Sequence, residues 1–192
     1  MPALAEEWAQ VRFALRTGSN GDLSTSEEAT REWWAAFNTR VLRRLGMECD
    51  ARRPLEGLWE TFGRAESWEL FPEVRSVLAE LRARGYRLGI VSNWDSRLMP
   101  ICESLGLASD VDFILASSVA GAEKPDPRIF RLALSRAGVS AERAIHVGDD
   151  FEADVLGARR AGIDAVLVSR TGGGDPERAS IRSLDELLAL LP

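Results

Sequence analysis

Four short apolar runs, separated by long amphipathic stretches, leave the chain after Pro72 few folds to choose from. The runs are RLGIVSN (87–93), FILASS (113–118), AIHVGDD (144–150) and AVLVS (165–169). A hairpin needs only a tight turn, whereas a link of a dozen or more residues carries the chain over the sheet and returns the next strand parallel to the last. The intervening segments read as such crossover helices. Pro72 suits a first helical turn, Val74, Val77, Leu78 and Leu81 recur at helical spacing, and Gly85 stops the pattern. A helix is expected over 98–105, another opens at Asp126 and Pro127 into IFRLALSRAG, and a third runs from Val155 to Ala161 before Gly162. Ser183 with Glu186 caps a last helix, LDELLALL. Strands alternating with helices predict an α/β fold, a Rossmann-like parallel sheet with helices on both faces.

The texture before Phe71 and Pro72 is different. Thr25 and Glu28 have capping-box spacing, and Trp33, Trp34, Phe37, Val41, Leu42 and Leu45 then repeat at helical intervals until Gly46. A weaker helix follows from Leu55 to Phe62. Trp8, Trp33, Trp34, Trp59 and Trp68, five of the six tryptophans, fall in this part and read as the core of a small helical unit. The expected division is therefore 1–70, helical, and 71–192, α/β.

Composition narrows the functional classes. At 192 residues the chain is one domain, or one with a small insert, and 45% hydrophobic with 28% charged residues is ordinary for a globular protein. The net charge of −6 is spread along the chain with no Lys/Arg run, which argues against nucleic acid and anionic membrane as partners. Cys49 and Cys102 lack metal-type spacing and read as reduced thiols. The start, MPALAEEWAQVRFALR, has no apolar signal region, so the expected compartment is the cytoplasm. TGGGDP (171–176) is not followed by GK[ST] and reads as a flexible loop.

In an open parallel sheet, ligands sit beyond the carboxyl ends of the strands. The first run ends in Ser92-Asn93-Trp94-Asp95, the segment after the second delivers Glu123-Lys124-Pro125-Asp126, and the third ends in Gly148-Asp149-Asp150 with Asp154 close behind. Each alone has a plain reading: Ser92, Asp95 or the aspartates as helix caps, and Lys124 as a solvated loop lysine. Asp149, Asp150 and Asp154 crowded together, however, need a compensating cation or basic side chain. Mg2+ suits such a place, because it takes one or two carboxylates, keeps waters and brings a phosphate. His146, the only histidine, lies between apolar neighbours and reads as core.

The order Ser92-Asn93, Lys124-Pro125, GDDFEAD resembles the haloacid dehalogenase-like hydrolase superfamily, over 71–169. GIVSN matches its second motif with Ser92, Lys124 its third, and Gly148-Asp149 with Asp154 its fourth. The resemblance implies a Mg2+-dependent phosphatase of small phosphorylated metabolites, working through an aspartyl-phosphate. Ser92 and Asn93 would hold phosphoryl oxygens, and Lys124 would balance charge. Asp149 would bind the metal, with Asp150 and Asp154 holding its waters or the lysine. The helical part before residue 71 would be the family's cap.

The same resemblance exposes a departure. The family's first motif, a strand followed by DxDxT or DxDxV, supplies the nucleophile, and no D-x-D precedes Ser92. In the family order 5-4-1-2-3 that strand is central, so 87–93 and 144–149 are expected to lack a neighbour between them. Unpaired ladder groups cost on the order of 1–3 kcal/mol each. The expectation is thus an N-terminally incomplete, inactive form, with a non-catalytic Mg2+- or phosphate-binding protein and a metal-free haloacid dehalogenase as alternatives. A phospho-receiver domain is set aside, because its acids precede its lysine.

Overall fold

The computed structural model describes residues 24–44, 46, 52–170 and 180–192. Trp8, Leu45, Cys49 and the loop at 171–176 lie outside the described residues.

Helix α1 (Glu27–Arg44) has its cap one residue later than the expected Thr25. The hydroxyl that caps it belongs to Ser26, whose Oγ accepts from Ala29 N at 3.1 Å, while Ser26 O accepts from Thr30 N at 3.0 Å. Glu27 and Glu28 place negative charge at the positive end of the helix dipole. Helix α2 (Arg52–Phe62) follows. Trp33 stacks on Phe37 within α1 at 5.2 Å, Trp34 stacks on Phe62 of α2 at 5.5 Å and joins the two helices, and Trp34 and Phe37 are buried.

The α/β part runs α3 (Val74–Ala83), β1 (Gly89–Ser92), α4 (Leu98–Ser104), β2 (Phe113–Ala116), α5 (Ser117–Ala120), α6 (Pro127–Ala137), β3 (Ile145–Gly148), a π-helical turn (Phe151–Leu156), α7 (Gly157–Arg160), β4 (Asp164–Val168), β5 (Ser180–Ile181) and α8 (Leu187–Leu190). Asp126 caps α6 as expected, accepting from Arg128 N, with Pro127 in the first turn. Ser183 and Glu186 form the expected capping box. Three features depart from the sequence pattern. The strand at 113–118 stops at Ala116, because Ser117 turns inward and starts α5. The helix expected from Val155 begins at Phe151, as a π turn. Finally, β5 adds a short strand that two residues cannot announce by periodicity.

All pairings are parallel, but they form two sheets: β1 with β2, and β3-β4-β5. The register sets Ser92 opposite Ala116 and Gly148 opposite Leu167, and the polar residues Asn93, Ser117 and Asp149 follow directly after β1, β2 and β3. Among the described residues no strand lies between β1 and β3. Ile114, Leu115 and Ala116 of β2 and Val166 and Leu167 of β4 are buried, whereas every residue of β1 and β3 stays at least partly exposed. In a closed sheet of this type the inner strands are the most buried.

Two apolar layers hold the sheets in place. Leu115, Ile129, Phe130, Ala158 and Ile163 form one, against which Val91 and Ala165 pack. Val77, Leu81, Val166, Ile181 and Leu187 form the other, with Leu88 and Val147. Strands of both sheets contribute to the first layer, which thereby fixes how the strand ends face one another. No described helix is long and apolar enough to cross a membrane.

Candidate active site

The sequence expectations converge on one carboxylate, Asp154, which is 2% exposed. Lys124 Nζ donates to its Oδ1 at 2.5 Å, His146 Nε2 donates to the same oxygen at 2.8 Å, and Asp150 N donates to Oδ2 at 3.0 Å. Burial pushes the Asp154 carboxyl up, but the His146 hydrogen bond and the Lys124 charge outweigh it and hold the group far below the ordinary aspartate range. Asp154 is therefore the ionised acceptor, and the imidazole proton sits on Nε2.

Local structure explains how an acid this buried reaches these partners. The π turn lets Val155 N reach back to Asp150 O, and it brings Asp154 under the end of β3. Gly148 makes room there: a Cβ at this position would lie 2.1 Å from Asp154 Cγ and 2.4 Å from Oδ2. Gly157 does the same one turn on, where a Cβ would stand 2.9 Å from both Pro125 Cα and a Phe130 ring carbon. The two glycines let α7 and the π turn press against the Lys124 loop.

Asn93 holds that loop from the other sheet. Its Nδ2 donates to Lys124 O at 2.8 Å and its Oδ1 accepts from Lys124 N at 2.7 Å. The amide expected to meet a phosphoryl oxygen is thus spent on the backbone of the lysine, bridging the ends of β1 and the Lys124 segment. Ser92, at the tip of β1, has a hydroxyl without a hydrogen bond among the described residues.

The three aspartates of GDDFEAD separate into different tasks. Asp150 caps the π turn, accepting from Glu152 N at 3.0 Å and Ala153 N at 2.9 Å. Asp154 is committed to Lys124 and His146. Asp149 is exposed at the rim, and its carboxylate has no partner among the described residues. No group of three or more His, Cys, Asp or Glu able to hold a metal occurs among the described residues. The donor set fits a Mg2+ held by one carboxylate with waters and a phosphate, and does not fit a cage of three carboxylates.

The helical unit clips onto the same loops. Glu27 Oε1 accepts from Ser96 N at 2.8 Å and from Ser118 Oγ at 2.6 Å. Ser24 Oγ donates to Glu123 Oε2 at 2.5 Å and lies 2.7 Å from Ser117 Oγ. Ser117, 0% exposed, in turn accepts from Trp94 N at 3.0 Å. Asp95, also 0% exposed, pairs bidentately with Arg97 at 2.7 Å, and that guanidinium stacks 3.3 Å above the Trp59 ring. The sequence pattern gave no notice of Ser117 or Arg97. His146 it misread as plain core, although one signal was present: the chain has one lysine and one histidine against 23 arginines, and both meet Asp154.

Fold and rim together define the class: a parallel α/β protein with charged side chains gathered at the carboxyl ends of its strands. The family model for haloacid dehalogenase-like hydrolases matches residues 2–162, and the chain belongs to that family. It is 37% identical over 155 residues to haloacid dehalogenase-like hydrolase domain-containing protein 3 of Mus musculus, covering 80% of this chain and 61% of that protein. It is 40% identical over 148 residues to a phosphoserine phosphatase of Thermus thermophilus, covering 74% of this chain and 59% of the relative. A crystal structure of a HAD phosphatase from Thermococcus onnurineus superposes with a TM-score of 0.66 at 29% identity, covering 83% of this chain and 72% of that one. The chain spans about three-fifths of the length of the first two relatives.

Proposed function

We propose that the rim formed by Ser92, Lys124 and Asp149 binds the phosphate of a small phosphorylated metabolite in the cytoplasm, with Mg2+. The observation that carries this reading is the Lys124–Asp154 pair, an ammonium anchored from below by a buried carboxylate and bounded by the ends of β1 and β3. A phosphate monoester needs positive charge and donors on its oxygens. Lys124 offers the charge, held in place by Asn93 and Asp154 rather than searching for its ligand. The Ser92 hydroxyl, without a hydrogen bond among the described residues, offers a donor to a phosphoryl oxygen. Asp149 would hold the Mg2+, which supplies neutralisation of the phosphate's charge when bound. The helical unit, clipped to the loops through Ser24, Glu27 and Arg97, would be the cap that selects the metabolite.

Phosphatases among the relatives support hydrolysis as the chemistry of the family's complete site. This chain has no D-x-D before Ser92 to provide the attacking carboxylate. We therefore expect the 192-residue chain to bind phosphate without turning it over. The test is hydrolysis of p-nitrophenyl phosphate with Mg2+, where no release above a buffer control is expected. Turnover abolished by Asp149→Asn would overturn the inactivity and show that a nucleophile is present.

A further inference from the structure

We infer that His146 is a positioning residue that aims Lys124 through Asp154. A lysine ammonium is a compact charge on a flexible stem, and unlike a guanidinium fork it does not fix its own orientation. Its direction has to come from the partner. Asp154 Oδ1 takes both Lys124 Nζ, at 2.5 Å, and His146 Nε2, at 2.8 Å, while Oδ2 is tied to Asp150 N. Without the imidazole, the carboxylate keeps one backbone tether and can swing about it, carrying the ammonium along.

His146 is well placed to prevent this. Its backbone is locked in the ladder opposite Ala165, and its ring meets the Phe130 ring edge-to-face at 5.1 Å and 90°. Phe130 is 1% exposed and belongs to the apolar layer under both sheets. The rigidity of the core thus reaches the lysine through one strand, one ring and one carboxylate. The one lysine and the one histidine of a chain with 23 arginines meet on the same carboxylate oxygen.

The role of Lys124 at a phosphate rests on the function proposed above; the positioning itself does not. Because Lys124 is the only lysine, its reactivity can be followed by peptide mass spectrometry after labelling of the full chain with trinitrobenzenesulfonate. Loss of a charge-assisted hydrogen bond worth about 1.5–3 kcal/mol corresponds to a rise of at least tenfold in the labelling rate in His146→Phe, which keeps the packing and drops the donor. His146→Gln, which keeps an amide donor near the Nε2 position, is expected to stay within about twofold of the parent chain, and Asp154→Asn to label faster still. A parent-like rate in folded His146→Phe, or equal acceleration in Phe and Gln variants, would overturn the inference. If circular dichroism shows that His146→Phe does not fold, His146→Met carries the same two readings. Inorganic phosphate with Mg2+ added to the parent chain tests the other reading separately. Protection of Lys124 supports the phosphate site; its absence sinks that site and leaves the comparison of His146 variants standing.

Discussion

Gly148→Ala is the sharpest test of how Asp154 is held. Gly148 is not in the left-handed region, and at such a position an added methyl ordinarily stabilises by about 0.4–1 kcal/mol through the unfolded chain. Here the new Cβ would lie 2.1 Å from Asp154 Cγ, 2.4 Å from Oδ2 and 2.5 Å from Cβ. Carbon atoms in contact sit about 3.5–4.0 Å apart, so the carboxylate has to move by roughly 1.5 Å. A shift of that size breaks bonds of 2.5, 2.8 and 3.0 Å to Lys124, His146 and Asp150 N. Breaking a buried ion pair costs about 3–5 kcal/mol, a large share of a domain's total of about 5–15 kcal/mol. Urea unfolding followed by circular dichroism should show a loss of about 3–5 kcal/mol, opposite in sign to the ordinary effect. In an Asp154→Gly background the obstructing atoms are gone, and the same substitution should cost less than about 1 kcal/mol. A Gly148→Ala chain within about 1 kcal/mol of the parent, or a full cost surviving in Asp154→Gly, would refute the reasoning.

Two further substitutions probe separate parts of the structure. Asp154 has a folded pKa below its unfolded value, so its contribution is present above about pH 4 and is lost as the pH falls further; acid titration should show the parent chain losing stability more steeply below that pH than Asp154→Asn, and parallel curves would count against the pairing. Arg97→Lys keeps the charge but loses the fork onto buried Asp95 and the stack on Trp59, so it should destabilise by about 1–3 kcal/mol in thermal unfolding at low and high salt alike, and a change that salt abolishes would mean the pair is a solvated one.

The gathering of Ser92, Lys124 and Asp149 at one rim was legible because parallel strands put every carboxyl end on the same side, whatever the details of packing. Caps written in local chemistry were equally legible: Asp126 before Pro127, and Ser183 with Glu186. The misplacement of the first cap, Thr25 for Ser26, arose because adjacent hydroxyls satisfy the same local pattern and only the entry direction of the chain separates them. The three aspartates could be counted but not sorted, since their tasks depend on the π turn. That turn sends Asp154 inward, keeps Asp150 at the cap and leaves Asp149 in solvent. His146 was hidden by its apolar neighbours, which predict where a strand residue is buried and say nothing of the carboxylate that a later turn brings to it. Ser117 and Arg97 join segments far apart in sequence, and no local spacing encodes such contacts.

The most direct measurement of whether the rim is a phosphate site is isothermal titration of inorganic phosphate, with Mg2+, into the parent chain and into Lys124→Met. Saturable binding to the parent that is lost in the variant is the expected result. Equal heats from both chains, with both folded, would contradict it, because the one lysine, the carboxylate beneath it and the histidine behind would then be serving the fold alone.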